Sequence, residues 1–344
     1  MRFADEAFFK NIRDFLTVYL PKQKCYSDNT VRSYRISLNL FVDYLTGALG
    51  IPLHKLTFEH MSAENITGFL DFLQSERGCS ASTRNHRLMA IRSFAKYSAR
   101  KNPANIALQS EIGNVPTQKS PEKIVEFLSE KALKTLLAQP DSTRNIGIRD
   151  SFFMTLMYDT ATRCQEMLNL KWRDFELDCP NPYVRILGKG NKVRTVPLME
   201  KTVQFLYLYA KSFHDTEALK TDDHVFYTAI HGKRNRMSPD NVASFMKKYG
   251  ELAKQSCSDI PERVHPHQLR HTRAIHLYRS GFPLVLLAEY LGHVNVETTR
   301  VYAYADTEMK RAAIRKADPD NLAVQEHAIW KGDDEMIKQL YGLK

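Results

Sequence analysis

Between residues 110 and 123 the chain changes character. Gly113, Pro116, Thr117, Ser120 and Pro121 interrupt the apolar periodicity on either side, and that composition favours an extended connector over a packed element. The break asks 344 residues to build two separate cores, which the length allows. The expected organisation is a helical domain over 1–112, a linker over 113–124, a second domain over 125–310 and a tail over 311–344.

Ahead of the break the apolar residues recur at helical spacing. Phe8, Phe9, Ile12, Phe15, Leu16 and Tyr19 mark a first helix over 5–20. Val31, Tyr34, Leu38, Phe41, Val42 and Leu45 mark a second, opened by cap-forming residues at Ser27-Asp28-Asn29-Thr30 and closed before Gly47. A third covers 63–76. A fourth starts after Ser80-Ala81-Ser82 and stops before Pro103. Beyond the break, helices are predicted at 129–138, 148–159, 163–170, 200–213, 239–255, 267–280 and 283–291. Tyr183-Val184-Arg185-Ile186-Leu187 and Val193-Arg194-Thr195-Val196-Pro197 are β-prone instead. They flank Gly188-Lys189-Gly190-Asn191-Lys192, which predicts a hairpin with a doubly basic tip. The fold class is mainly α with a small antiparallel β-sheet.

Charge narrows the function. The formal net charge is +10, and residues 79–101 carry six Lys/Arg (Arg84, Arg87, Arg92, Lys96, Arg100 and Lys101) without an acid. A solvated helix face usually mixes signs, so this one favours a polyanionic partner. Arg84, Arg87, Arg92, Lys96, Arg100 and Lys192 are the candidate backbone contacts. No apolar run approaches the ~20 residues of a membrane span, and Met1-Arg2-Phe3-Ala4-Asp5-Glu6 lacks the apolar core of a signal peptide. A cytoplasmic, nucleoid-associated protein is expected. Five unpaired-looking cysteines speak against a disulfide framework and form no zinc-like pair.

Several polar residues carry chemistry. Arg163 opens a helix, and a cation at that positive end is unfavourable unless an anion lies between; Glu166, three residues on, can orient the guanidinium. Lys189 is either an ordinary turn lysine or a mobile cation able to protonate a leaving oxygen. His267 and Arg270 share a helix face. His265, His267 and His271 raise a metal site, but their spacing departs from H-E-x-x-H and no nearby carboxylate completes the His267/His271 pair. His293 follows a glycine at a helix end. Tyr302 lies in a helix where a core tyrosine is the ordinary reading, and a free phenol, with a pKa near ~10, is a poor nucleophile.

Taken in order, these residues carry five motifs: T-x-x-R-x-x-E-x-L at 160–168, G-K-G-N-K at 188–192, H-x-L-R-H at 267–271, L-G-H at 291–293 and T-T-x-x-Y at 298–302. The set resembles the tyrosine recombinase (phage integrase) family over essentially the whole chain. The resemblance implies a helical core-binding, SAM-like domain and a catalytic domain that clamp duplex DNA, with no arm-site domain in front. It implies that Arg163 and Arg270 hold the scissile phosphate and that His267 acts as base or hydrogen-bond partner to the nucleophile. Lys189 would protonate the leaving 5′-oxygen, His293 would donate to the phosphate, and Tyr302 would attack. No metal or nucleotide cofactor is implied. A homotetramer on synapsed double-stranded DNA is. The tail carries Lys310, Arg311, Arg315 and Lys316, then an amphipathic stretch from Asp333 to Tyr341, which either packs on its own domain or docks on a neighbouring protomer.

Two departures stand out. Ala161-Thr162 precedes Arg163 where the family more usually has Gly and an apolar residue, and Tyr304 stands where a histidine is frequent. The expected activity is site-specific recombination, towards mobile-element integration or excision. Chromosome dimer resolution of the Xer type, type IB topoisomerase-like activity and non-catalytic DNA binding are the alternatives. A pure DNA binder needs no tyrosine beside His and Arg, and relaxation of plasmid without a specific site would mark the topoisomerase.

Overall fold

The computed structural model describes residues 4–120, 125–188, 190–214, 222–230, 232–305, 335, 338–339 and 342. Lys189, the basic stretch after residue 305 and nearly all of the expected C-terminal helix lie outside them. The chain forms two compact units, Met1–Lys123 and Ile124–Lys344.

The first unit is helical: α1 (Glu6–Asp14), a π-helical continuation (Phe15–Gln23), α2 (Asp28–Gly47), α3 (Ala63–Ser75), α4 (Ala81–Lys101) and α5 (Ile106–Asn114). Serines start these helices: Ser27 and Ser80, marked in the sequence, and Ser62, which was not, accept from the backbone N–H of Thr30, Thr83 and Asn65. Each such cap stabilises its helix by roughly 1 kcal/mol. The apolar stripe of α4 (Leu88, Ile91, Phe94) is fully buried, and Phe94 meets Phe15 edge-on at 5.4 Å between ring centroids.

The helix α5 occupies residues expected to begin the linker. Its C-terminal carbonyls explain why it holds: Arg92, on α4, donates to the carbonyls of Ile112, Gly113 and Val115. The end of a helix exposes carbonyls without partners, and a guanidinium with five donors can take several.

The second unit contains α6 (Glu130–Leu137), α7 (Asn145–Thr160), α8 (Cys164–Leu168), β1 (Phe175–Glu176), β2 (Tyr183–Leu187), β3 (Val193–Pro197), α9 (Glu200–Phe213), β4 (Tyr227–Ile230), β5 (Lys233–Arg236), α10 (Pro239–Lys254), α11 (Pro266–Arg279), α12 (Leu284–Leu291) and α13 (Arg300–Ala305). The strands β1, β2 and β3 form an antiparallel sheet, and the expected hairpin pairs Arg185 with Thr195. Val184, Ile186 and Val196 point inward to a core built on Trp172, Tyr209, Phe152, Phe153 and Phe226. A second hairpin, β4–β5, was not expected. The four residues of β5 are all exposed, so no inward–outward alternation marked it. A smaller core of Ala161, Ala274, Ile275, Leu287, Leu291 and Tyr302 ties α11, α12 and α13 together.

Candidate active site

The site grows from the end of α7. Ala161 closes that helix in the left-handed region at φ 47°, ψ 32°, where a Cβ is a burden and glycine is the easier residue. That is the physical content of the departure noted at this turn. The twist sends the chain into Arg163 at the start of α8 and leaves the Ala161 carbonyl facing α11. There the Arg270 guanidinium donates to Ala161 O at 2.6 Å and to Leu291 O at 2.8 Å. Arg270 is therefore pinned by backbone on two sides and is 3% exposed.

Glu166 organises the second cationic layer. One carboxylate oxygen accepts from Arg163 Nη1 at 2.7 Å and the other from the Arg163 backbone N–H at 3.0 Å. Arg194, from β3, adds a contact of 2.6 Å to the same carboxylate. Burial alone would raise the Glu166 carboxyl, but the hydrogen bonds and charge of Arg194, then of Arg163, hold it below the ordinary range. The sequence reading overlooked Arg194. Its signal was a cation two residues from inward-facing Val196 on the same strand face, a placement that asks for a buried acid.

Gly292 caps α12 at φ 64°, and a Cβ there would lie 2.9 Å from Arg194 Nη1. The middle residue of L-G-H thus serves both the left-handed turn and the approach of a guanidinium. His293 follows, its Nε2 3.0 Å from Arg270 Nη2 and its Nδ1 2.8 Å from Thr299 Oγ1. Because arginine can only donate, Nε2 is the acceptor and the proton sits on Nδ1. Burial, then Arg270, Arg163 and Arg194, push His293 down to about 4.

Tyr302, on α13, is 1% exposed. Its hydroxyl lies 2.9 Å from His271 Nδ1 and also shares a hydrogen bond with Arg270. Burial raises the phenol; Arg270 and then Arg163 pull it back. His267, expected at the nucleophile, has no hydrogen-bond partner among the described residues. Its ring stands 6.1 Å from that of His271. Two imidazoles four residues apart on one helix face are equivalent in sequence, and only the seat of α13 on α11 distinguishes them. His267 is depressed first by burial and then by Arg270, His265 and Arg163, charges that place it on the arginine side of the cluster. No group of three or more His, Cys, Asp or Glu is placed to hold a metal among the described residues.

The site therefore gathers Arg163, Arg194, Arg270, His267, His271 and His293 around one carboxylate. Such a cluster is short of negative charge, and phosphate, accepted by arginine in charge-assisted pairs, would complete it. One consequence is a pH effect. Burial, then neighbouring His267 and Arg270, drive His271 to about 4, as burial and Arg270 drive His293. The unfolded chain, with histidines near ~6.5, takes up protons first as pH falls. Stability is accordingly lost from about pH 6.5 down towards 4, then levels. Urea denaturation at pH 7.5 and pH 5 should differ by on the order of 2–4 kcal/mol, and His271→Ala with His293→Ala should remove most of the difference.

The basic face of the first unit is less available than its sequence suggested. Arg84 is 4% exposed and bound to the Pro116 carbonyl. Arg87 donates to Ser37 Oγ at 3.0 Å, and Arg92 caps α5. All three thus have partners inside their own unit. Lys96 and Arg100 line a groove of about 310 Å³ together with Arg92, Tyr19, Lys24, Tyr26 and Tyr34. Arg100 donates to Tyr19 Oη at 3.0 Å. In the second unit, Lys192 is exposed beside a pocket lined also by Gly188, Arg194 and His293. No helix is long and apolar enough to cross a membrane among the described residues.

Comparison with known proteins identifies the family. Residues 126–309 match the Phage integrase family, and residues 12–102 match the phage integrase N-terminal SAM-like domain. A protein of Sinorhizobium fredii named as an integrase/recombinase is 31% identical over 309 residues, covering 90% of this chain and 91% of the relative. Tyrosine recombinase XerD of Staphylococcus epidermidis is 29% identical, with 89% and 96% covered. Among solved structures, XerH site-specific recombinase bound to palindromic difH substrate aligns with a TM-score of 0.65 at 20% identity, covering 92% of this chain and 91% of that one. The Tn1549 transposon integrase in complex with transposon right end DNA aligns at 0.63 and 15% identity, with 90% and 97% covered. With its SAM-like and catalytic units both matched and its tyrosine seated among arginines and histidines, the chain belongs to the phage integrase family of tyrosine-type site-specific DNA recombinases.

Proposed function

We propose that this protein cuts and rejoins double-stranded DNA at specific sites through a 3′-phosphotyrosine link on Tyr302, and that its DNA is the ends of a mobile element. The observation that carries the chemistry is the phenolic oxygen of Tyr302, held between His271 and Arg270. A tyrosine there, facing a cluster deficient in negative charge, fits nucleophilic attack on a phosphodiester.

Arg163 and Arg270 take the two non-bridging oxygens. Glu166 and the Ala161 and Leu291 carbonyls keep both guanidiniums fixed before DNA arrives, so little reorganisation is left for the moment of reaction. His267 faces the phosphate from the arginine side. His293 accepts from Arg270 while the site is empty; the incoming phosphate raises its pKa, and the proton it then gains lets it donate. Lys189, which lies between β2 and β3 in the sequence, protonates the departing 5′-oxygen. The covalent link conserves the ester energy, so a 5′-hydroxyl from a second duplex reverses the step. Strand exchange needs four protomers on two synapsed duplexes in the nucleoid, coupled by the C-terminal tail.

The mobile-element reading is supported by the relative named integrase/recombinase and by the transposon integrase among the folds. Chromosome dimer resolution is the second reading, favoured by the several Xer-named relatives. The test is capture on a nicked, end-labelled duplex from the element's own termini. An SDS-resistant adduct whose protease map places the DNA on the Tyr302 peptide is expected. Cleavage without an adduct, or an adduct elsewhere, would overturn the assignment.

In the first unit two cations of α4 are expected to play different parts. Lys96→Ala should lower DNA affinity for any sequence and reduce the salt slope by about 1. Arg92→Ala should instead cost folding stability, on the order of 1–3 kcal/mol for three carbonyls left unpaired. Salt-titrated binding and urea denaturation of the two variants separate these outcomes.

A further inference from the structure

The geometry points to His271 as a proton acceptor that activates Tyr302 for attack on the scissile phosphate. This inference rests on the reading of Tyr302 as nucleophile and adds a group to its reaction.

Three observations support it. His271 Nδ1 is 2.9 Å from the Tyr302 hydroxyl, the separation a nucleophile and its base require. The two rings are 5.7 Å apart with their planes at 53°, so the phenol meets the imidazole at its nitrogen edge instead of stacking on it. His271 is also kept neutral: burial, His267, Arg270 and His265 together hold it at about 4. A neutral imidazole can accept through Nδ1 when Nε2 carries the proton. His267 lacks such a contact.

The charged groups that act on this pair are His267, His265 and Arg270 on the same helix, Arg163 at the start of α8 and His293 after α12. Every one is cationic or able to become so. They stabilise a phenolate but oppose an imidazolium, until the phosphate brings negative charge. Proton transfer to His271 is therefore coupled to DNA binding.

The step balances. Tyr302 Oη forms a bond to phosphorus as the P–O5′ bond breaks. The phenol proton moves to His271 Nδ1, and the 5′-oxygen leaves as a hydroxyl with a proton from the donor assigned to Lys189. On religation His271 returns its proton to the departing phenolate.

The test is single-turnover cleavage of the nicked substrate by full-length His271→Ala and His271→Asn across pH 6–10, with Tyr302→Phe alongside. General-base loss is worth about 10²–10⁴-fold, so His271→Ala should be at least about 10²-fold slow at pH 7. The defect should shrink as pH rises and hydroxide replaces the base, and added imidazole should recover part of the rate. Asn places an amide oxygen near the Nδ1 position, keeping a hydrogen bond without basicity, and should stay slow. Should the alanine variant fail to fold, the Asn variant and its pH profile carry the test. Cleavage within about threefold of the parent, or a defect constant with pH and repaired by Asn, would overturn the role. Loss in Tyr302→Phe with normal His271 variants sinks this inference alone; persistence in Tyr302→Phe sinks the nucleophile as well.

Discussion

Replacing Tyr302 with phenylalanine is expected to abolish covalent capture on a nicked duplex, by at least about 10⁴-fold, the scale on which loss of a nucleophile is felt. DNA affinity should change by less than about threefold. The reason is geometric. At 1% exposure the ring adds nothing to the surface that meets the duplex before cleavage, and the aromatic packing against Ala161, Ile275 and Leu287 survives the change. Only the hydroxyl is lost. Its hydrogen bonds to His271 and Arg270 are worth roughly 1 kcal/mol each, so the melting temperature should fall by about 4–8 °C, the scaling for a unit of this size. Tyr290, which packs against the same small core, is committed elsewhere: it donates its hydroxyl to the Asp159 carbonyl. An adduct that persists in the phenylalanine variant, detected by denaturing gel and located by mass spectrometry, would move the nucleophile to another tyrosine.

What the sequence made legible was local. Ser27 and Ser80 cap because a hydroxyl before an apolar-periodic run has few other uses. The β2–β3 hairpin announced itself through two alternating strands and a glycine-rich turn. What stayed hidden was decided by distant partners. Arg92 looked like a free cation until the end of α5 needed its donors. Arg194 drew no notice because its partner, Glu166, is 28 residues away in sequence. His271 and His267 could not be told apart because helical periodicity puts both on one face; α13 alone chooses between them. The β4–β5 hairpin, wet on every β5 side chain, carries no pattern for a periodicity argument to find. A single helix was expected over 5–20, but Pro21 lies inside the π-helical stretch Phe15–Gln23 that follows α1, where the missing N–H favours a change of helical pitch.

Glu166 gives the sharpest test of how the site is assembled. Its carboxylate is the counter-charge for Arg163 and Arg194, whose side chains are 34% and 9% exposed. Alanine at 166 would leave Arg194 buried and unpaired beside Arg163 and Arg270. Breaking one side of a buried pair costs about 3–5 kcal/mol; because Arg163 can reach water, the lower end, about 3 kcal/mol, is expected. Glutamine keeps one acceptor and no charge, and should cost roughly half as much. Cleavage should fall further than binding, by about 10–100-fold, the usual penalty for removing an orienting group, since Arg163 would still attract phosphate but no longer hold one geometry. DNA should then rescue folding. A bound phosphate restores the missing negative charge, so the thermal shift on adding duplex should be larger for Glu166→Ala than for the parent. The pH dependence separates this from the histidine effect. With its folded pKa held below the usual carboxylate range, Glu166 contributes stability above about pH 4.5 and loses it only as pH falls through that lowered value. The histidine loss begins near pH 6.5, so at pH 5 the parent should have lost most of the histidine term while the penalty for Glu166→Ala remains intact. A variant as stable as the parent at pH 7.5, within about 1 kcal/mol by urea denaturation, would mean that solvent already screens the two guanidiniums and that the carboxylate is not what holds Arg163 in place.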